Sequence, residues 1–226
     1  MLQLHMLALY HCISARSFRV LWMLEELRLR YELRMLAFPP RAYDKSFLEL
    51  NPRGTVPLFI DGETRMTESA AICEYLALRN SPGVLNVSPH ELAFGDYLNY
   101  LHMGEATLTF PQTLVLRYSR FEPPERLQPQ VAEDYSKWFL SRLRTLEPHL
   151  AAHEFLCAGR FTAADVSVGY ALMLAELLGL DERFTSAVLA YWQRLKLRPA
   201  FERSLVAQNY AAIAQGVSPS PATEAS

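Results

Sequence analysis

Small hydroxyl side chains stand at two places where the chain is expected to enter a helix. Ser14 and Ser17 lie just before the apolar residues that recur at helical spacing from Val20 onwards. Thr67-Glu68-Ser69 stands in the same position before a second helical pattern, which includes Ile72. The N-terminus of a helix offers N–H groups and a partial positive charge, so either place could stabilise an anion. The alternative role for each hydroxyl is a helix N-cap.

The residues between these two helices indicate how the second one is positioned. The proline and glycine of residues 51–54 break any helix that precedes them, and residues 56–60 form an apolar run typical of a strand. Asp61-Gly62, between that run and residues 63–66, is a strong signal for a two-residue hairpin of type I′, a turn that needs positive φ. We therefore expect two antiparallel strands that lead into the second helix.

Pro57, at the head of the first of these strands, belongs to the most specific motif in the chain. Alone it would be a trans proline at a strand edge or start, because few X-Pro bonds are cis. However, the string Asn51-Pro-x-Gly-x-Val-Pro57, followed by Glu68-Ser69-x-x-Ile72-x-x-Tyr75-Leu76, resembles the thioredoxin-like domain of the glutathione transferase family. The resemblance implies a cis Val56–Pro57 bond.

The same resemblance implies how glutathione would bind. The backbone of Val56 would pair with the cysteinyl part of the tripeptide, while Glu68 and Ser69 would hold its γ-glutamyl end. A zwitterion fits this place, since the helix N-terminus favours a carboxylate and Glu68 can pair with an ammonium group. The predicted glutathione-binding residues are Arg53, Thr55, Val56, Pro57, Glu68 and Ser69.

The turn from His11 to Ser17 contains the catalytic candidates. By resemblance, Ser14 falls where transferase classes with a Ser-x-x-x-x-Arg-Val pattern carry their activating serine, and where the omega-like class carries cysteine. Other classes place the residue one position later, at Ala15, and the nearby Ser17 and Cys12 are further candidates. Arg16 stands where the zeta-like class has an extra cysteine and could assist an anionic substrate or the thiolate. Cys12 is also compatible with a small buried hydrophobe at a strand end.

The resemblance implies that the nucleophile is the sulfur of glutathione and that Ser14 stabilises its thiolate. Lowering the pKa of a thiol by about two units needs about 2.7 kcal/mol. A hydrogen bond to a charged group contributes about 1.5 to 3 kcal/mol, and a helix N-terminus adds about 0.3 to 1 kcal/mol. A serine hydroxyl at this position is therefore sufficient.

The first eighty residues show a strand and helix order that agrees with the resemblance. Residues 2–9 read as a strand, 20–27 as a helix, 31–36 as a strand and 44–50 as a short helix. With the hairpin and the helix near Ser69, the order is βαβαββα. We predict a mixed sheet with helices on both faces, that is, an α/β thioredoxin-like domain over residues 1–80.

Beyond a breaker-rich linker at residues 80–89, strand signals vanish. Helical patterns cover Glu91 to Leu108, with Pro111 expected to kink or end that helix, and a long helix runs from Val131 to Leu150. We predict an all-α domain over residues 89–215. The last residues, 216–226, are rich in Ser, Pro and Ala and are predicted to be a disordered tail.

A capping box is predicted within this second domain. Thr162 and Asp165 have the spacing of an N-cap and its N3 partner, before a strongly apolar helix that Gly179 is expected to close. The pattern resembles the buried capping box of the transferase family's helical domain. Asp165 is therefore predicted to be structural.

Composition and charge exclude several classes of function. A formal net charge of -2 with interspersed signs gives no basic stripe for nucleic acid and no polybasic membrane patch. Cys12, Cys73 and Cys157 are odd in number and lack a C-x-x-C spacing, which fits a reducing cytoplasm. His149 and His153 have i, i+4 spacing, but no third ligand is evident, so we predict surface histidines and no metal.

Taken together, the sequence predicts a cytoplasmic glutathione transferase. Its thiolate would attack a small apolar electrophile in the cleft between the domains, and the resemblance implies a homodimer. The predicted wall of the substrate pocket consists of Met103, Thr107, Phe110 and Tyr118. Two alternatives are a glutathione-dependent thiol oxidoreductase that uses Cys12, and a non-catalytic interaction module of the same fold.

Overall fold

A computed structural model describes residues 6–221 of the chain. The described residues divide into two units, one that runs up to Asn80 and resumes at Arg198, and one that covers Ser81–Leu197. The predicted first strand lies partly outside the described residues, since 2–5 fall before them.

A four-stranded mixed sheet forms the centre of the first unit. Its strands are β1 (Leu7–His11), β2 (Tyr31–Met35), β3 (Leu58–Asp61) and β4 (Thr64–Met66), in the spatial order β2-β1-β3-β4. β1 is parallel to β2 and antiparallel to β3, and β3 is antiparallel to β4. The mixed sheet is thus confirmed, although β1 extends to His11, two residues beyond its predicted end.

Four helices follow within the first eighty residues: α1 (Phe18–Glu26), α2 (Pro40–Tyr43), α3 (Phe47–Leu50) and α4 (Ser69–Asn80). α1 packs against α4, and its residues from Phe18 to Leu24 are buried. The short helix predicted at 44–50 is present as α3, but it begins three residues later than predicted, because Asp44 is extended. Its carboxylate accepts a hydrogen bond of 3.1 Å from the Phe47 N–H, so the helix begins after it.

The hairpin between β3 and β4 exists, but its turn lies one residue later than predicted. Asp61 is paired with Thr64, so Gly62 and Glu63 form the turn. Gly62 has φ +60°, whereas Glu63 stays outside the left-handed region, so the predicted type I′ turn is wrong. The Asp61 carboxylate accepts a 2.8 Å hydrogen bond from the Tyr75 hydroxyl, which keeps Asp61 in the ladder.

The second unit is mostly helical, as predicted. Its α-helices are α5 (Phe94–His102), α6 (Phe110–Leu116), α7 (Pro129–Leu143), α8 (Glu147–Ala152), α9 (Ala163–Leu177) and α10 (Ser186–Lys196). The long helix predicted from Val131 to Leu150 is split into α7 and α8 by a 3₁₀ turn, since Pro148 in the first turn of α8 lacks an N–H group. No helix of the part described, residues 6–221, combines the length and the apolar character needed to cross a bilayer.

A π-helical segment, Met103–Thr109, directly precedes α6, and α6 continues through Pro111 without a break. The Phe110 N–H bonds to the carbonyl of Glu105, five residues back. Gly104 allows a close approach to α9, because a Cβ there would lie 2.4 Å from the Ser167 hydroxyl. The wider turns avoid the clash that proline causes in an α-helix, so Pro111 does not end the helix.

The predicted capping box is present at the start of α9. The Thr162 side chain accepts from the Ala164 N–H at 3.3 Å, and the Asp165 carboxylate accepts from the Thr162 N–H at 2.8 Å. Asp165 also accepts from the Leu156 N–H and the Tyr191 hydroxyl, at 3.1 and 2.8 Å. Its side chain is completely buried and links three segments of the helical unit. Burial raises the pKa of Asp165, against the hydrogen bonds, which lower it.

The last helix, α11 (Pro199–Ala214), packs against α1 and β2. The ring centroids of Phe201 and Trp22 are 4.9 Å apart, and Arg198 donates two hydrogen bonds to Glu26 at 2.6 and 2.9 Å. These contacts place the residues from Arg198 onwards in the first unit. The sequence analysis assigned them to the helical domain 89–215, because helical periodicity does not show which partner a helix packs on.

The first residues after α11 also contact the first unit. Val217 packs against the cluster of Ile13, Met35 and Ala212, and its N–H donates to the Ala212 carbonyl at 2.9 Å. The start of the predicted tail, 216–226, is therefore packed, and residues 222–226 lie outside the described part.

Replacement of Asp165 by alanine tests the structural role of the capping box. Asp165→Ala leaves buried donors of Leu156, Thr162 and Tyr191 without their acceptor, so we expect the free energy of unfolding to fall by about 3 kcal/mol or more. Urea unfolding monitored by tryptophan fluorescence measures this loss. Asp134→Ala, the same change at an exposed site on α7, should cost less than about 0.5 kcal/mol. Equal losses for the two variants would contradict the assignment.

Candidate active site

Ser14 lies in the turn that joins β1 to α1 and has an unusual backbone conformation. Its φ is +54°, in the left-handed region that residues other than glycine adopt rarely, and its side chain is half-buried. The turn is closed by a 3.1 Å hydrogen bond from the Ala15 N–H to the Cys12 carbonyl. Non-glycine residues in this conformation occur preferentially at functional sites.

The side chain of Gln208, on α11, holds both the backbone and the hydroxyl of Ser14. The Ser14 N–H donates to Gln208 Oε1 at 3.1 Å, and Gln208 Nε2 donates to Ser14 Oγ at 3.5 Å. Gln208 is 2% exposed. The sequence analysis missed this residue, because a glutamine in a helix is usually exposed and its burial on α11 is seen only in the structure.

His11 lies beneath the turn, at the end of β1, and is completely buried. Its Nε2 is 3.0 Å from Gln208 Oε1, and its Nδ1 is 2.7 Å from Ser17 Oγ. Burial lowers the pKa of His11 to about 4, although the hydrogen bond to Gln208 raises it. The imidazole is therefore neutral at physiological pH.

At the start of α1, the serine hydroxyls do not cap the helix, which was the alternative role that the sequence suggested for them. Ser17, at the N-cap position, directs its hydroxyl to His11, and Ser14 directs its side chain to Gln208. The N–H groups of Phe18 and Val20 donate to the carbonyls of Ala15 and Ser17, at 2.8 and 3.1 Å. These two N–H groups therefore already have acceptors, and the dipole of α1 is positive at this end.

Cys12 has the environment of a core residue. It is completely buried in a cluster with Tyr10, Leu36, Phe47, Val56 and Leu58, against which Ala15 also packs. Its sulfur lies 3.9 Å from the carbonyl of Ala37. Burial raises the pKa of the Cys12 thiol to about 12. The geometry thus disfavours Cys12 as a nucleophile. Arg16, another candidate in the same turn, is half-buried.

The loop before β3 is fixed by local constraints. The Asn51 side chain donates to the Thr55 carbonyl at 2.8 Å and accepts from the Arg53 N–H at 3.2 Å. Gly54 has φ +59°, and a Cβ there would lie 2.8 Å from that of Arg41. The Val56–Pro57 peptide bond is cis, as the resemblance implies.

The structure brings Arg53 to the start of α4. Its Nη1 is 2.5 Å from the Thr67 hydroxyl and 3.9 Å from the Glu68 carboxylate, and both Arg53 and Glu68 are largely exposed. Ser69, 4% exposed, accepts a 3.1 Å hydrogen bond from the buried guanidinium of Arg19. In the sequence analysis Arg19 entered only as the arginine of the Ser-x-x-x-x-Arg-Val pattern. The contact shows that it links α1 to the start of α4.

Two of the four predicted pocket residues line a common groove in the second unit. The groove has a volume of about 660 Å³ and is lined by Leu98, Asn99, His102, Met103, Ala106, Thr107, Arg142 and Thr145. In the described part of the chain, Phe110 and Tyr118 lie outside this lining. Phe110 is 55% exposed, and the Tyr118 carbonyl accepts from the Gln128 N–H at 3.0 Å.

His149 and His153 do not share a helix, since His153 is the extended residue after α8. Their rings stack with centroids 4.4 Å apart, and the nearest backbone contacts are His149 Nε2 to the Phe155 carbonyl and His153 Nδ1 to the His149 carbonyl, at 3.1 and 3.0 Å. Within residues 6–221, no group of three or more His, Cys, Asp or Glu residues is arranged to hold a metal ion.

Comparison with known proteins identifies related chains. The family model for the N-terminal domain of glutathione S-transferase matches residues 13–79. Glutathione S-transferase A of Pleuronectes platessa is 31% identical over 201 residues, which cover 84% of this chain and 87% of the relative. Glutathione S-transferase 3 of Schizosaccharomyces pombe is 24% identical over 86% of this chain and 85% of the relative. The crystal structure of the glutathione transferase URE2P8 of Phanerochaete chrysosporium with oxidized glutathione matches with a TM-score of 0.79 and 21% identity, over 95% of this chain and 98% of the other.

Thiol reactivity tests the assignment of the cysteines as core residues. Cys12, Cys73 and Cys157 are buried, and burial raises their pKa values to about 12, 12 and 11. At pH 8 we expect the native thiols to react with a disulfide reagent at least about a hundredfold more slowly than free cysteine. In denaturant all three should react at the normal rate. A rapidly reacting thiol that disappears in Cys12→Ala would show that Cys12 is activated.

Proposed function

Since the chain belongs to the glutathione S-transferase family, we propose that it uses Ser14 to stabilise the thiolate of glutathione, which attacks a carbon of a small apolar electrophile. Family membership rests on the match to the P. platessa enzyme and on the fold. The single observation that carries the role of Ser14 is its left-handed backbone in the turn before α1, with its hydroxyl oxygen facing the Gln208 amide.

The chemistry required of Ser14 is modest. The hydroxyl donates a hydrogen bond to the sulfur anion, and such a bond contributes about 1.5 to 3 kcal/mol. This corresponds to a decrease of about one to two units in the pKa of the bound thiol, since one unit is about 1.4 kcal/mol. The N-terminus of α1 adds to the stabilisation. The sulfur, rather than any cysteine of the chain, is then the nucleophile.

The tripeptide would bind along the loop before β3 and the start of α4. In the proposed mode the Val56 backbone pairs with the cysteinyl part, and Glu68 and Ser69 bind the ammonium and carboxylate of the γ-glutamyl part. The exposed Arg53 guanidinium beside Glu68 gives this place both signs of charge, which suits a zwitterionic ligand. Thr55 and Pro57 complete the proposed site.

The two alternatives make different predictions. A thiol oxidoreductase needs a reactive Cys12, and the burial of that thiol disfavours it. A non-catalytic module of the same fold would bind no glutathione, and calorimetry with reduced glutathione tests this directly.

We further propose that the protein is a cytoplasmic homodimer with no nucleic acid or membrane partner. The chain has a mass of 25.8 kDa, so sedimentation at about this mass would contradict the dimer.

Replacement of the Ser14 hydroxyl tests the proposed mechanism. Ser14→Ala should raise the pKa of bound glutathione by about one to two units and lower the conjugation rate near neutral pH by about tenfold to a hundredfold. The ultraviolet absorbance of the bound thiolate, titrated against pH, measures the pKa, and an aryl halide reports the rate. Ser46→Ala removes another serine of the first unit that donates a hydrogen bond, at an exposed site, and should change neither. An unchanged pKa in Ser14→Ala would refute the role of Ser14.

A further inference from the structure

One long polar side chain lies in a row of otherwise small buried residues on α11. The row consists of Ala200, Ser204, Gln208 and Ala212, spaced four residues apart. Ser204 satisfies its hydroxyl locally, by a 2.7 Å hydrogen bond to the Ala200 carbonyl. Gln208 instead reaches residues 194 and 197 positions away in sequence, Ser14 and His11. A buried amide is retained only if it is well paired, so these contacts define its orientation.

The orientation of the Gln208 amide is fixed by a neighbouring group that can only donate a hydrogen bond. The Ser14 backbone N–H can only donate, so the Gln208 atom 3.1 Å away is the oxygen. His11 Nε2 faces the same oxygen at 3.0 Å and must therefore carry a proton. The ring is neutral, so Nδ1 is an acceptor and receives the Ser17 hydroxyl proton at 2.7 Å. Each hydrogen bond from Ser17 through His11 to Gln208 thus has one defined donor and one defined acceptor.

The remaining end of the amide is a donor that faces the catalytic hydroxyl. Gln208 Nε2 lies 3.5 Å from Ser14 Oγ, a long contact of the kind that shortens when a ligand binds. Because an amide N–H₂ group accepts no hydrogen bond, the Ser14 proton has no acceptor at Gln208. The proton is directed away from the amide, and one lone pair of the oxygen is occupied.

We propose that Gln208 is a positioning residue for Ser14, which orients the hydroxyl so that its proton is presented to the sulfur of glutathione. His11 and Ser17 act behind it by fixing the amide. This proposal rests on the proposed function, since it assigns a device that serves the Ser14 hydroxyl. A hydroxyl otherwise rotates among several directions, and restriction before the ligand arrives removes part of the cost of ordering it.

The chain offers a control glutamine directly after the same helix, at an exposed site. Gln215, seven residues beyond Gln208, accepts from the Met35 N–H at 2.8 Å and donates to the Leu33 carbonyl at 2.8 Å. Like Gln208, it joins the C-terminal segment of the first unit to the opening residues of the same unit through acceptor and donor contacts, here one of each. Gln215→Met therefore reproduces the loss of two such hydrogen bonds without a contact to Ser14.

The test compares the pKa of bound reduced glutathione in these variants. Gln208→Met should raise it by about half a unit to one unit, equivalent to a threefold to tenfold loss of thiolate near neutral pH, while Gln215→Met should leave it unchanged. Gln208→Glu keeps the acceptor for Ser14 N–H and His11 but loses the donor, so it should fold even if Gln208→Met does not. In this variant a carboxylate oxygen accepts the Ser14 proton, and we expect a shift of at least one unit.

A double-mutant cycle separates the positioning role from the role of Ser14 itself. In the Ser14→Ala background, Gln208→Met should produce no further shift, because its effect acts through the hydroxyl. The proposal is overturned if Gln208→Met leaves the pKa unchanged, if Gln215→Met shifts it equally, or if the Gln208 effect persists without Ser14. If Ser14→Ala produces no shift, the proposed function fails together with this inference. A shift in Ser14→Ala without one in Gln208→Met overturns the positioning role alone.

Discussion

The pairing of a buried histidine ties the last helix of the first unit to the turn between β1 and α1. His11 is completely buried, and a buried imidazole needs a partner at each ring nitrogen to avoid the cost of an unsatisfied polar group. Ser17 supplies one partner and Gln208 the other. Because Gln208 lies on α11, the last helix must pack against the first turn for the end of β1 to be satisfied.

Other contacts hold α11 in the same place. Arg198 pairs with Glu26 through two hydrogen bonds, and Arg203 donates to the Glu25 carboxylate at 2.8 Å. Phe201 packs edge to face on Trp22. A half-buried ion pair contributes little by itself, so the aromatic packing and the satisfied buried groups carry most of the stabilisation. The first unit is therefore built from both ends of the chain.

Local chemistry made much of this fold predictable from the sequence. The capping box at Thr162 and Asp165, the hairpin after Leu58 and the helix that begins at Ser69 each depend on residues a few positions apart. The errors have causes that intrinsic propensity does not indicate. Asp61 stays in the strand because Tyr75 binds it, and Pro111 is tolerated because of a π-helical segment that no propensity indicates.

The candidate site, too, was predictable only where its residues belong to a local motif. The position of Ser14 came from a motif within one turn, and the motif around Val56–Pro57 implied its cis bond. The partner of Ser14 could not be found by pattern, because Gln208 is 194 residues away and a glutamine in a helix is usually exposed. Ser17 likewise looked like a helix cap, and only the buried imidazole beside it gives its hydroxyl another use.

The helix α1 connects the two places at which glutathione is proposed to bind. At its start, the Ser17 hydroxyl is held by the network that fixes Ser14, and two residues further on, the Arg19 guanidinium donates to Ser69 at the start of α4. A helical turn is nearly rigid, so the separation between these two contacts is set by backbone geometry. The thiol and the γ-glutamyl group of one tripeptide are separated by a fixed number of bonds. A rigid element that joins the groups proposed to bind them is therefore suited to place both ends of the same ligand at once.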